Sequence, residues 1–294
     1  MSIDIERLSG DALEAAPPGG IAVTGRIVAD GGRRPIRLPR LGLSSAISLL
    51  TIAVLVALWW VAAEWKLVPP LFLPAPWSVF DKLIAVSDSG FADATLAQHL
   101  AASLGRVFCA LALAVAISVP VGFAMGLSPV GRGLFDPVIE FLRPIPPLAY
   151  LPLVVIWFGI GEPAKVVVIT IAMVAPIVIS TATGVRSVSQ SRINAARSFG
   201  ATPLQVLRFV VLPSALVEIL TGIRIALGAG WSTLVAAELV AATRGLGFMI
   251  QSAAQFLATD VVVMGICVIA AVAFALEAAL RLLQRRLVPW AGRD

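Results

Sequence analysis

Apolar residues run for about the width of a bilayer, with few polar interruptions, at 43–63, 107–127, 144–161, 164–185, 213–242 and 259–280. A helix needs roughly 20 residues to cross the hydrocarbon core. The pattern therefore predicts an all-α polytopic membrane protein with about six transmembrane helices. Pro144, Pro146, Pro147 and Pro152 interrupt the third run, whose start is open. It begins either there or near Phe135, which takes Asp136, Glu140 and Arg143 into its first turns. The fifth run is long enough to hold a re-entrant or broken portion near its end. Pro120 and Pro176 predict kinks in the second and fourth helices.

The first 42 residues contain no such run. Asp4, Glu6, Asp11 and Glu14 give way to Arg33, Arg34, Arg37 and Arg40 among glycines and prolines. This composition predicts a disordered cytoplasmic tail over 1–42 that ends in a basic stop. The first apolar run starts too late and is too long for a cleaved signal peptide. A transmembrane domain over 43–285 and a short cytoplasmic C-terminal tail over 286–294 complete the division.

Orientation follows the basic residues. Arg186, Arg192, Arg197 and Arg208 occupy 186–212 with no carboxylate, and Arg281, Arg285, Arg286 and Arg293 crowd the C-terminus. Between Glu64 and His99 the balance reverses, with Glu64, Asp81, Asp88 and Asp93 against Lys66 and Lys82. Six spans with both termini in the cytoplasm satisfy this pattern. Trp59, Trp60, Trp65 and Trp77 then mark the outer interface.

Composition agrees: 59% of the 294 residues are hydrophobic and 13% charged, with a net charge of +5. It also removes chemistry. His99 is the single histidine, so one chain cannot assemble a His/Cys metal cluster. Cys109 and Cys267 both fall in apolar runs and read as packing residues. Lys66, Lys82 and Lys165 follow Trp, Asp and Ala, so no Gly-Lys phosphate loop exists. No nucleic-acid partner is expected. A membrane-embedded enzyme stays as the alternative class, although it would need clustered His, Asp or Ser at facing positions.

Residues 194–213, NAARSFGATPLQVLRFVVLP, interrupt the apolar pattern. Thr202-Pro203-Leu204-Gln205 is a capping box with proline at the first helical position. Gly200 falls where a preceding helix needs a left-handed residue to stop. The spacing predicts two short helices meeting in a bend at Gly200-Ala201. Such an elbow suits docking in a partner's groove, with Phe199 as apolar anchor and the arginines as rim. It equally suits an amphipathic helix lying on the lipid surface.

The stretch resembles the cytoplasmic signature of bacterial ABC importer permeases: Glu-Ala-Ala, three residues, Gly, nine residues, Ile, one residue, Leu-Pro. Here Asn194-Ala195-Ala196, Gly200, Val210 and Leu212-Pro213 hold that spacing. Asn194 stands where the family has Glu, and Val210 where it has Ile. The likeness extends through PLFLPAPWSVF, DATLAQHLAASLGR, LRPIPPLAYLPLVVIWFGIGE, GWSTLVAAELVAATRGLGFMIQSA, FLATDVV and LQRRLVPW. From about residue 45 onward the chain is similar to binding-protein-dependent permeases for taurine, alkanesulfonates and nitrate, the taurine branch above all.

The resemblance implies a type I ABC importer permease fold in a bacterial inner membrane. It implies a homodimer carrying two cytoplasmic ABC ATPases, with a soluble binding protein on the outer side. Asn194, Ala195, Ala196, Arg197, Phe199, Gly200, Leu212 and Pro213 would belong to the coupling region, 191–213. This chain would bind no cofactor of its own, ATP and magnesium residing on the ATPase.

Other positions keep two readings. Gly222, Ala226 and Gly230 form a small-residue face for a dimer axis or for packing within the subunit. Trp231, Ser232, Thr233 and Glu238 are candidates for a translocation path, although Ser232 and Thr233 also suit bonding to their own helix carbonyls. Gly245-Leu246-Gly247-Phe248 is a candidate external gate or binding-protein contact, or an ordinary turn. Glu277 and Arg281 are spaced to pair, as are Glu140 and Arg143. Arg106 is expected to snorkel outward. Glu218 and Arg224 are expected to hold the elbow against the bundle.

Overall fold

The computed structural model describes residues 43–290. The tail predicted over 1–42 and the last four residues of the C-terminal tail lie outside the described residues. The chain divides into two units at Thr51–Ile52. The described part of the first is the opening of helix α1 (Leu43–Glu64), where Thr51 donates its hydroxyl to the Ile47 carbonyl at 2.9 Å. The second unit holds the rest of the fold.

The order of that unit is helical throughout. After α1 come α2 (Pro76–Asp88), α3 (Leu96–Leu127), α4 (Pro129–Leu142), a 3-10 turn (Pro147–Tyr150), α5 (Leu151–Phe158) and α6 (Glu162–Arg186). Then follow α7 (Gln190–Ser198), α8 (Pro203–Val206), a π turn (Leu207–Val211), α9 (Leu212–Ala241), α10 (Leu246–Gln255) and α11 (Thr259–Leu287). No strand occurs among the described residues beyond an isolated bridge between Phe91 and Ala94. The fold is that of a polytopic membrane protein.

Five stretches are long and apolar enough to cross a bilayer: Ala46–Glu64, α3, α6, Pro203–Val240 and α11. The third predicted span is different. It is a pair, Pro129–Leu142 and Pro147–Phe158, bent by 91°. The prolines between Arg143 and Pro147 explain the break, because proline removes a donor and disfavours helical geometry in the residue before it. Only counted as one broken span does the pair give six. The break expected in the fifth run is absent: α9 is continuous to Ala241, and α10 is a separate helix. α3 begins eleven residues before its predicted apolar run, at a capping box between Thr95 and Gln98. Both α3 and α6 continue through Pro120 and Pro176.

The core is built on α3, α6 and α9, which pack along their lengths. Glycine makes the approach close. A Cβ added at Gly222 would lie 2.5 Å from Ser180 Cβ, and one at Gly122 2.5 Å from Thr181 Cβ. A Cβ at Gly230 would collide with Met173, and Ala226 is wholly buried. The small-residue face of α9 therefore serves packing within the subunit. Val107, Ala110, Ile169, Met173, Ile177 and Leu234 fill the space between these helices. Outward faces stay apolar, as on α1 and at Phe274 of α11, which suits contact with lipid.

Cys109 and Cys267 are free thiols on exposed positions, not packing residues as the apolar runs implied. Trp60 and Trp77 stack edge to face with centroids 5.8 Å apart, and Trp59 donates to the Pro74 carbonyl at 3.1 Å. These contacts fix the loop that joins α1 to α2.

Candidate functional site

The elbow forms as its local signals require. Ser189 caps α7, accepting from the Arg192 amide at 3.3 Å. At the other end Gly200 takes φ +80. Its amide bonds the Arg197 carbonyl at 2.9 Å, and the Ala201 amide reaches back to the Ala196 carbonyl at 3.1 Å. This is the Schellman stop, which consumes two carbonyls the helix end leaves open. Thr202 and Gln205 then close a capping box on α8, at 2.8 and 3.4 Å. The π turn after α8 accommodates Pro213, which has no amide to return to the preceding turn.

The elbow is mounted by one face. Ile193, Ala196 and Ala201 pack on a cluster of Val185 at the end of α6, Val206 and Val211 in α8 and the π turn, and Ala215 and Ile219 at the start of α9. The opposite face carries Phe199, 92% exposed. Asn194, Ala195 and Arg197 are exposed beside it, and Leu212 is 41% exposed. Asn194 accepts from Gln190 at 3.1 Å, so a neutral hydrogen bond stands where the signature has a carboxylate. Neither Glu218 nor Arg224 braces the elbow by an ion pair among the described residues. Arg224 reaches Glu277 on α11 at 3.6 Å, and Glu277 also holds Arg281 at 3.1 Å, as its spacing implied.

The other concentration of polar side chains lies at the opposite ends of α3, α6 and α9. Arg106 is buried there and does not snorkel. Its Nε and Nη2 donate to both oxygens of Glu162 at 2.6 and 2.8 Å, a bidentate pair. Its Nη1 donates to Glu238 at 2.5 Å and to the Arg244 carbonyl at 2.7 Å. Lys165 adds a bond to Glu162 at 2.8 Å. Glu238, wholly buried, accepts further from Ser103 at 2.8 Å and from the Gly247 amide at 2.9 Å.

The turn at Gly245 is stitched to the same cluster. Ser103 Oγ accepts from the Leu246 amide at 2.9 Å, and His99 Nδ1 accepts from the Gly245 amide at 3.1 Å. An accepting Nδ1 leaves the proton on Nε2, which donates to the Phe91 carbonyl at 2.9 Å. His99 thus ties the 90–94 turn to the 245 turn. Gly245 has φ +133 and lies against Glu238, so no Cβ fits there.

The structure separates the candidate path residues. Glu238 sits inside this network. Trp231 is buried, its indole nitrogen without a partner among the described residues. Thr233 and Ser232 bond their own helix at the Ala229 and Gly228 carbonyls, at 3.0 and 3.2 Å. Gly245, Leu246 and Gly247 are buried and Phe248 half-buried, so this turn offers little free surface. Sequence reasoning missed His99, Ser103, Arg106, Glu162 and Lys165 as one group. No group of three or more potential metal-ligating side chains occurs among the described residues.

Residues 91–289 match the family model described as binding-protein-dependent transport system inner membrane component. The chain belongs to this family. It is a permease component of an ABC importer and a multi-pass membrane protein. It is 62% identical over 247 residues to the taurine transport system permease protein TauC of Escherichia coli, covering 84% of this chain and 90% of TauC. It is 37% identical over 221 residues to the bicarbonate transport system permease protein CmpB of Synechococcus elongatus, covering 72% and 80%. Among solved structures, an inward-facing MetNI methionine ABC transporter aligns with TM-score 0.58 at 22% identity, over 65% of this chain and 95% of that one. At that identity the likeness concerns the fold.

Proposed function

We propose that the chain is the permease of an importer for taurine or a closely related small sulfonate. Two copies form the path, and each elbow docks in a groove of one cytoplasmic ATPase subunit. ATP and magnesium act on that partner, and this chain supplies no catalytic group. Closure of the ATPases pushes the elbows, and the helices rock between inward- and outward-facing states. A soluble binding protein delivers cargo at the outer end. Both termini and the elbow face the cytoplasm.

The observation that carries the mechanism is the mounting of Phe199. A large apolar side chain stands 92% exposed on a helix whose other face is fixed to α6 and α9. Free in water such a residue gains nothing, whereas in a partner's groove it buries its ring. Its rigid mount passes a push to the two longest-packed helices of the core. The cargo reading rests on the 62% identity to TauC. Identity of 37% to a bicarbonate permease favours, as a second reading, another small anion on the same machinery.

The test is reconstitution with a partner ABC ATPase and a taurine-binding protein. Wild type should import taurine with ATP hydrolysis stimulated by the loaded binding protein. Phe199→Ala should weaken ATPase docking by about 1–3 kcal/mol, as loss of an interface anchor does. Undiminished co-purification and coupling in Phe199→Ala would remove the mechanism. Import of bicarbonate in place of taurine would select the second reading.

A further inference from the structure

Beside the bend between α4 and α5 lies a cavity of about 360 Å³. Ile139, Leu142, Ala172, Val174, Pro176 and Ala229 give it apolar walls, and Arg143 is the one charged residue lining it. The depth matters. Residues 171–176 are the middle turns of α6, about 14–22 Å from either end at 1.5 Å per residue. Arg143 therefore sits near the midplane of the predicted bilayer.

Its guanidinium makes no hydrogen bond or ion pair among the described residues. Glu140, three positions earlier, does not pair with it, contrary to the expectation from spacing. Asp136 and Glu140 on α4 and Arg143 at its C-cap, still in helical geometry, fall at i, i+4 and i+7, a single polar stripe. None of the three has an ion pair among the described residues. Unpaired charges at this depth are costly against lipid and are kept where they face a water-filled path. They contrast with Arg106, whose donors are occupied by Glu162, Glu238 and a carbonyl.

We propose that Arg143 is a cargo-binding residue within the permease, holding the anionic head of the solute as it crosses. The guanidinium fork matches the oxygens of a sulfonate or carboxylate. The apolar walls take a short hydrocarbon body. A short alkyl sulfonate fits both. This rests on the transport reading above and adds to it a selective site of the permease's own.

The test uses the full chain, with Cys109 and Cys267 replaced, in complex with its ATPase in proteoliposomes. Ala229→Cys on the cavity wall is modified by an anionic and by a cationic methanethiosulfonate reagent. Arg143→Gln should lower the anionic-to-cationic rate ratio about tenfold, since a charge-lined cleft concentrates its counter-ion on that scale. Arg143→Lys should keep it. In parallel, without Ala229→Cys, Arg143→Gln should cut taurine import by about tenfold or more, while the loaded binding protein still stimulates ATP hydrolysis.

An unchanged reagent ratio in Arg143→Gln would overturn the proposal. So would import and hydrolysis falling together, which marks a structural arginine. If Arg143→Gln does not fold, Arg143→Met takes its place, and a ratio unmoved in Arg143→Met overturns the proposal equally. Failure of wild type to import taurine would strike the cargo reading alone, since the reagent ratio still reports on Arg143.

Discussion

Arg106 and Glu238, 132 positions apart in the chain, meet at 2.5 Å between Nη1 and a carboxylate oxygen. The arginine is 5% exposed at its side chain and the glutamate 0%. Each also holds the backbone near Gly245, through the Arg244 carbonyl and the Gly247 amide. The pair therefore fastens α3, α9 and the entry to α10 at one end, while the elbow occupies the other.

Breaking such a buried pair from one side strands the remaining charge. Arg106→Met should lower the stability of the detergent-solubilised chain by about 3–5 kcal/mol, read as a fall in thermal midpoint. Glu277→Gln, which removes a carboxylate 38% exposed on α11, should cost less than about 1 kcal/mol. Equal losses in the two variants would show that the buried pair has no special weight.

The contrast between these regions explains what the sequence made visible. Thr202-Pro203-Leu204-Gln205 and Gly200 specify the elbow within a dozen residues, and the structure realises each signal. Thr95-Leu96-Ala97-Gln98 is the same kind of capping signal at the head of α3, and it is passed over when the second span is started at 107. Ser103, Arg106, Glu162 and Glu238 meet only because three long helices bring them together. No local pattern shows which distant carboxylate an arginine will find. Hydropathy located the spans, and Pro144, Pro146, Pro147 and Pro152 marked the third as interrupted, but the 91° angle depends on what each half packs against and no local pattern carries it.

The α6–α9 contact has a graded test. At Gly222 an added Cβ meets Ser180 Cβ at 2.5 Å and the Pro176 carbonyl oxygen at 3.2 Å, so the backbone must move. At Gly230 the obstruction is Met173, a side chain that can swing away. Gly222→Ala should destabilise by about 1–3 kcal/mol, and Gly230→Ala by less. Thermal unfolding of both variants in detergent checks the order. The reverse order would mean that α6 and α9 separate more easily at Gly222 than their geometry implies.

Orientation is open to chemical labelling. Ser198 on α7 and Ser87 on α2 are both exposed. Cysteines placed there, in a background lacking Cys109 and Cys267, should react from opposite sides of the membrane. An impermeant maleimide applied to intact spheroplasts should label Ser87→Cys and spare Ser198→Cys. Labelling of Ser198→Cys would invert the topology drawn from the arginines.

Gly200 offers the sharpest separation between backbone and contact effects. It has φ +80, and an added Cβ would meet nothing within 4 Å. Substitution therefore acts through backbone strain alone. Ala should cost about 1 kcal/mol and Val more, because a β-branched residue resists the left-handed region. Asn visits that region readily, so Gly200→Asn should preserve the bend. In reconstituted complexes, coupling of ATP hydrolysis to import should fall from Gly and Asn through Ala to Val. Membrane insertion should stay constant, since Gly200 lies outside the spans. Equal coupling in Val and Asn would show that the bend at Gly200 does not set the position of Phe199.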